Sequence, residues 1–211
     1  MAELNEQLNE ALKKVRANAK ERKFDQTVDL IINLQNFDVK KTPINTVINV
    51  PHKIKNKKIC AFLEVENKNI DTITPMGFKK YTDKKLVKKL VDKYDFFIAQ
   101  SSVMPKVATT FGKVLGPAGK MPSSQLGIIV NADEKTIEEL KKKVNNSLKI
   151  RVKESSIKLP IGKQSMKDED IAENILGAFA IIVKLLPRDK SNVKNIQLKF
   201  TMTKPEKIKI E

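Results

Sequence analysis

The chain has 211 residues, 40% of them hydrophobic, which allows one sizeable core or two small ones and is too apolar for a disordered tail. No apolar run reaches the ~18 residues of a membrane span, and the polar, acidic start MAELNEQLNE gives no expectation of a secretory signal. One cysteine, Cys60, and one histidine, His52, leave no internal disulfide and no soft-ligand set for structural zinc, which suits a reducing compartment such as the cytoplasm. Against 25 Asp and Glu stand 41 Lys and Arg, a net charge of +16. Such a surface attracts a polyanion, nucleic acid being the commonest, although Lys-rich surfaces also mark AT-rich or thermophilic organisms.

In chain order, Leu4, Leu8, Leu12, Val15 and Ala19 recur at spacings of three and four and predict a helix. Lys13, Lys14, Arg16 and Lys20 fall on its wet face. RKFDQTVDLIINL, residues 22–34, reads as a strand, and a second strand is expected at 46–50, ending at Pro51. KKICAFLEV, residues 57–65, is almost continuously apolar, as in a parallel sheet covered on both faces. A helix over 83–93 turns Leu86, Val87, Leu90 and Val91 inward. A buried strand at 94–100, a helix at 106–111, a short strand at 128–130 and a helix at 136–148 follow; the last carries Ile137, Leu140, Val144 and Leu148 on one face. That alternation is the rhythm of a parallel α/β domain.

After it, SSIKLPIG reads as a strand, and Ser165 with Asp168 three residues on reads as a helix start of the capping-box kind. Ile171, Ile175, Ala178, Phe179, Ile182, Leu185 and Leu186 give a long amphipathic helix stopped by Pro187. Residues 192–203 alternate as a strand, closed by Pro205. The economical arrangement is mixed α/β: one α+β domain built from both chain ends, with an α/β domain inserted between them.

The segment FGKVLGPAGKMPSS, residues 111–124, is the most unusual in the chain. Its glycines would let a backbone approach a phosphate, with Lys113 and Lys120 beside it. The plainer alternative is a rigid loop with a basic tip. The NTPase phosphate loop does not fit, because Gly119-Lys120 is followed by Met121 and Val114 stands five residues before Gly119; no G-x-G-x-x-G occurs either.

Within that segment LGPAGKMP, residues 115–122, resembles the LGPRGxMP signature of the L-one family of large-subunit ribosomal proteins. RKFDQTVDL (22–30), YDFFIAQSSVMP (94–105), LPIGK (159–163) with IAENI (171–175), and FTMT (200–203) resemble further blocks of that family in the same order, closest to archaeal members. The resemblance covers nearly the whole chain. It implies a discontinuous α+β RNA-binding domain with a split β-α-β core, residues 1–56 and 155–211, and an inserted Rossmann-like three-layer α/β domain, residues 57–154. Charge does not choose between them: the first carries 21 basic and 14 acidic residues, net +7, and the second 20 and 11, net +9.

The resemblance implies a non-enzymatic constituent of the large ribosomal subunit, monomeric outside the ribosome and without a cofactor. It implies binding of large-subunit ribosomal RNA at the mobile stalk, help in releasing deacylated exit-site tRNA, and translational repression through its own mRNA. Hinge motion at the connections near 55–57 and 153–155 goes with it. By position, the RNA contacts implied are Lys23, Phe24, Thr27 and Asp29 on one strand and Asn195, Thr201, Met202 and Thr203 on its partner. Phe24 and Met202 would lie against sugars or bases, the hydroxyls and Asp29 would meet 2′-OH groups, and Lys23 would hold a phosphate. Lys113, Gly116, Gly119 and Lys120 are implied as a secondary contact. Three positions depart from the family pattern: Thr203 replaces Gly, Asn195 replaces Ser, and Ala118 replaces Arg.

Cys60 sits in an apolar strand and is expected to be core, and His52 follows Pro51 at a strand end and is expected to be structural. Asp168 and Asp170 open a helix and suit its dipole. The rival readings are a nucleotide-using enzyme built on the inserted domain, a module that binds nucleic acid by charge alone, and a binder of acidic proteins or membrane surfaces.

Overall fold

In chain order the elements are helix α1 (Ala2–Ala17), strands β1 (Thr27–Leu34), β2 (Asn45–Asn49), β3 (Ile59–Phe62) and β4 (Asp71–Ile73), helix α2 (Lys84–Lys93), strand β5 (Phe96–Gln100), helix α3 (Met104–Ala118), strand β6 (Ile128–Ile129), helix α4 (Glu134–Asn145), strands β7 (Ser147–Arg151) and β8 (Ser156–Lys163), helix α5 (Asp168–Leu185), and strands β9 (Val193–Phe200) and β10 (Glu206–Ile208). This computed structural model describes residues 2–67, 69–81, 83–130, 133–152 and 154–208, and the backbone alone for residues 2–5. Two compact units result: Met1–Lys55 with Asn146–Glu211, and Asn56–Asn145.

In the terminal unit, β10, β9, β1 and β8 form one antiparallel sheet in that order. The β8-α5-β9 segment is a split β-α-β, with β1 lying between its two strands. β1 alternates strictly: Val28, Leu30 and Ile32 are fully buried, and Thr27, Asp29, Ile31 and Asn33 look the other way. The buried face packs against Leu8, Leu12 and Val15 of α1 and Ile171, Ile175, Ala178 and Ile182 of α5. The helical face read from the sequence is therefore correct, with Ala19 beyond the helix end but packed on the same core. The side chain of Leu4 lies outside the described residues.

The second unit is a parallel sheet in the order β4-β3-β5-β6. Cys60, Phe62, Phe97 and Ala99 face one side and join Val87, Leu90 and Val91 of α2 and Val107, Phe111 and Leu115 of α3. Phe111 lies 5.0 Å from Phe62 and 5.1 Å from Phe78, ring centre to ring centre. Ala61 and Ile98 point to the other side and are buried too, so the sheet is covered on both faces.

Several elements differ from the sequence expectation. Helix α3 runs through the glycine-rich segment instead of stopping at Phe111, because Val107, Phe111 and Leu115 keep the helical spacing and bury one face. The helix expected over 136–148 ends at Asn145; Leu148 belongs to β7, which pairs with β2. That pairing places residues 146–151 in the terminal unit, earlier than the expected boundary at 154/155. Leu86 and Leu185, expected inward, are exposed. Ser165 does not cap α5: its hydroxyl donates to Asp25, and Asp168 pairs with Arg16.

Candidate nucleic-acid interface

An antiparallel sheet with helices on one face leaves the other face for solvent or a partner. Cross-strand register assembles that open face in the terminal unit. Thr27 stands opposite Lys163, Asp29 opposite Lys199, Ile31 opposite Gln197, and Asn33 opposite Asn195. The Asn33 amide donates to Asn195 Oδ1 at 2.7 Å, so Asn195 is held flat on this surface.

Lys23 and Phe24 do not lie on a strand as expected. They occupy a bend before β1, which starts at Thr27. The bend is pinned by Asp25, whose two carboxylate oxygens accept from the Ser165 N–H at 3.1 Å and the Ser165 hydroxyl at 2.9 Å. Phe24 is thereby left 51% exposed, which for an aromatic side chain on a pinned backbone marks a contact surface more than a core position.

Thr201, Met202 and Thr203 likewise follow β9 in a turn instead of continuing it. Thr27 and Thr201 clamp the two approaches together. The Thr27 N–H donates to Thr201 Oγ1 at 3.1 Å, and the Thr201 N–H donates to the Thr27 carbonyl at 3.1 Å. Met202 stands beside them, 59% exposed. Thr203 closes the turn: its Oγ1 accepts from the Phe200 N–H at 2.9 Å. Among the described non-glycine residues only Asn36 and Asp189 have positive φ, so Thr203 occupies its position without a left-handed backbone. The departure from glycine therefore adds a turn-closing hydroxyl and no strain.

Asp29 is the acid of this surface. Burial pushes its carboxyl up from the usual range, and Lys199 and Lys163 pull in the opposite direction. Lys163 also donates to Thr27 Oγ1 at 3.0 Å. Lys163 and Lys199 are functional candidates that the sequence reading did not single out. Lys163 sits in the quoted LPIGK block and Lys199 in the alternation of β9, so strand register carried the missing signal. Arg16, expected on a wet helix face, instead ties the surface together from beneath. It bonds Asp168 and the carbonyls of Gln164 and Met166, and its guanidinium lies 5.9 Å from the Phe200 ring centre.

The glycine-rich segment has a different geometry from the expected phosphate loop. Gly116 lies inside α3, where its N–H belongs to the helix ladder. Gly119 is the C-cap at φ 69°, a left-handed conformation that suits glycine. Lys120 Nζ donates to the carbonyls of Val91 and Tyr94, at 2.7 and 2.9 Å, and so ties the end of α2 to α3. Lys113 alone of the four projects as an exposed charge.

Among the described residues no set of catalytic groups gathers around Cys60 or His52. Burial pushes the Cys60 thiol up to about 12, which leaves it protonated and inert. His52 Nε2 contacts Glu173 at 2.7 Å, and the His52 backbone N–H donates to Asn174 Oδ1, so it fastens the β2 end to α5. Among the described residues no His, Cys, Asp and Glu cluster could hold a metal ion, and no helix is long and apolar enough to cross a membrane.

The family model described as the ribosomal protein L1p/L10e family matches residues 12–204. The large ribosomal subunit protein uL1 of Nanoarchaeum equitans is 36% identical over 201 residues, covering 90% of this chain and 94% of that protein. Its counterparts in Archaeoglobus fulgidus and Thermofilum pendens are each 35% identical, over 92% and 97% of this chain and 92% and 93% of their own lengths. The chain belongs to the ribosomal protein L1p/L10e family.

Proposed function

We propose that the open face of the terminal sheet, with the two turns at its edge, binds large-subunit ribosomal RNA at the mobile stalk of the cytoplasmic ribosome. Proteins of this family are structural and non-catalytic, so the action is binding, not chemistry. The contacts are Lys23, Phe24, Thr27, Asp29, Asn195, Thr201, Met202 and Thr203. The observation that carries the reading is the pair of exposed apolar side chains, Phe24 and Met202, beside the clamped Thr27–Thr201 hydroxyls. Apolar faces accept sugars and bases, and hydroxyls and a carboxylate meet 2′-OH groups, which is how RNA is told from DNA. We assign to the same protein a part in releasing deacylated tRNA from the exit site, and repression of translation when its own mRNA presents the same surface.

The test is binding to a stalk-region fragment of large-subunit ribosomal RNA, compared with a length-matched RNA duplex and its DNA counterpart across a salt series. The expected preference is roughly 1,000-fold or more, lost with Phe24→Ala or Thr201→Ala. Equal binding to all three, steeply salt-dependent and indifferent to both substitutions, sinks the proposal and leaves a generic polycation.

A further inference from the structure

A cavity of about 420 Å³ opens beside the Met202–Thr203 turn, between the end of α1, the segment leading into β1, and the approach to β10. Its walls include Lys20, Arg22, Gln26, Met202, Lys204 and Glu206. We propose that this cavity seats a phosphate of the RNA strand, held by Lys20, Arg22 and Lys204 with the Gln26 amide as a neutral donor. The proposal rests on the RNA reading of the neighbouring surface and adds a site to it.

Three features carry it. The first is charge: three cations face one carboxylate, Glu206, in a small concave space. Concavity with low-dielectric walls strengthens the attraction for an anion. The second is that these cations are uncommitted. Arg16, Lys120 and Lys163 are each tied to protein oxygens, but Lys20, Arg22 and Lys204 are exposed and have no hydrogen-bond or ion-pair partner among the described residues. The third is Gln26. Its side chain is completely buried, its Oε1 accepts from the Met202 N–H at 3.2 Å, and its Nε2 has no acceptor. A buried N–H without an acceptor is unfavourable, and an incoming oxygen relieves it.

Phosphate fits this set better than a base edge does. It brings one negative charge with several acceptor oxygens, and the Arg22 fork can grip two of them. The place is also right. Met202 belongs both to the cavity wall and to the exposed apolar pair, so a strand laid over Phe24 and Met202 brings an adjoining phosphate to the opening.

The experiment measures affinity for the stalk-region RNA fragment across a salt series. Variants are Arg22→Ala with Lys204→Ala, Gln26→Glu, and Phe24→Ala. Exposed cations can be removed without touching the core, so the double variant keeps its fold. Its slope of log affinity against log salt is expected to fall by roughly one, with affinity about tenfold weaker. Gln26→Glu keeps the acceptor for Met202 but replaces the orphan donor with an oxygen, and is expected to weaken binding. A single neutral methylphosphonate linkage that weakens the wild-type complex, but not that of the double variant, identifies the phosphate. If the double variant binds with wild-type affinity and slope while Phe24→Ala weakens binding, the cavity proposal is overturned and the surface reading stands. If Phe24→Ala is also without effect, both are overturned.

Discussion

The two units carry nearly the same excess of positive charge, yet they present different kinds of surface. In the inserted unit the parallel sheet is buried on both faces, and Phe62 sits at the centre of a ring cluster in its core, packed on Phe78, Phe97 and Phe111. The terminal unit has an antiparallel sheet with one face free, and it leaves Phe24 and Met202 in solvent on pinned turns. Net charge attracts RNA to either unit. The second arrangement offers an open, hydrogen-bonding sheet face with apolar side chains at its edge, whereas the exposed Val65, Met76 and Val130 of the inserted unit lie outside its strands and α-helices. On the proposed reading, charge sets the class of partner and sheet topology the place.

The largest expected effect that could break this contrast is in the inserted core. Phe111→Ala should destabilise the inserted unit by about 3–5 kcal/mol, through lost burial and the cavity left between three rings. Denaturant unfolding would show it, while affinity for the stalk RNA should stay within a few-fold. A collapse of RNA affinity with folded terminal unit would mean that recognition is shared between the units.

A smaller effect concerns Asp29. Because its folded-state pKa is raised, the carboxylate form is penalised in the native protein. Stability from this group is fully present below the unfolded value near 3.8 and is lost as pH rises through the folded pKa. Asp29→Asn should therefore melt higher than wild type at neutral pH, with the gap closing as pH falls into the acid range. A gap that widens on acidification would show that Lys199 and Lys163 outweigh burial.

The smallest effect expected is that of Lys113→Ala. The side chain is exposed on α3, so stability should change by less than about 0.5 kcal/mol. With binding confined to the terminal face, the salt slope should not move. A fall of roughly one would make α3 a second RNA contact and would weaken the contrast between the units.

Periodicity made much of this legible from sequence. The spacing of Leu8, Leu12 and Val15, and the centre of the apolar run at 57–65, marked the correct buried residues, although the strand spans only Ile59–Phe62 and Val65 is exposed. The glycine-rich segment was misread for a physical reason. Gly112, Gly116 and Pro117 are local signals for a loop, and the burial of Phe111 and Leu115 against the sheet overrides them. β7 was hidden because Leu148 continues the i+4 spacing of α4, although the chain has already turned into a strand. At the interface, Thr27, Asp29 and Asn195 could be placed by resemblance and alternation. The roles of Arg16, Lys163 and Gln26 could not, since each depends on partners more than 130 residues away.

The pairing of β2 with β7 has a consequence for the order of assembly. The terminal unit joins Met1–Lys55 to Asn146–Glu211, so most of its core is synthesised only after the whole of Asn56–Asn145. During translation the inserted unit can fold as soon as it emerges, while α1, β1 and β2 wait without β8 and β9 to pair with. The long separation of these contacts also makes their closure slow. The Thr27–Thr201 clamp and the cavity beside Met202 are then among the last features to form, and a nascent chain displays no finished open sheet face until its final strands are made.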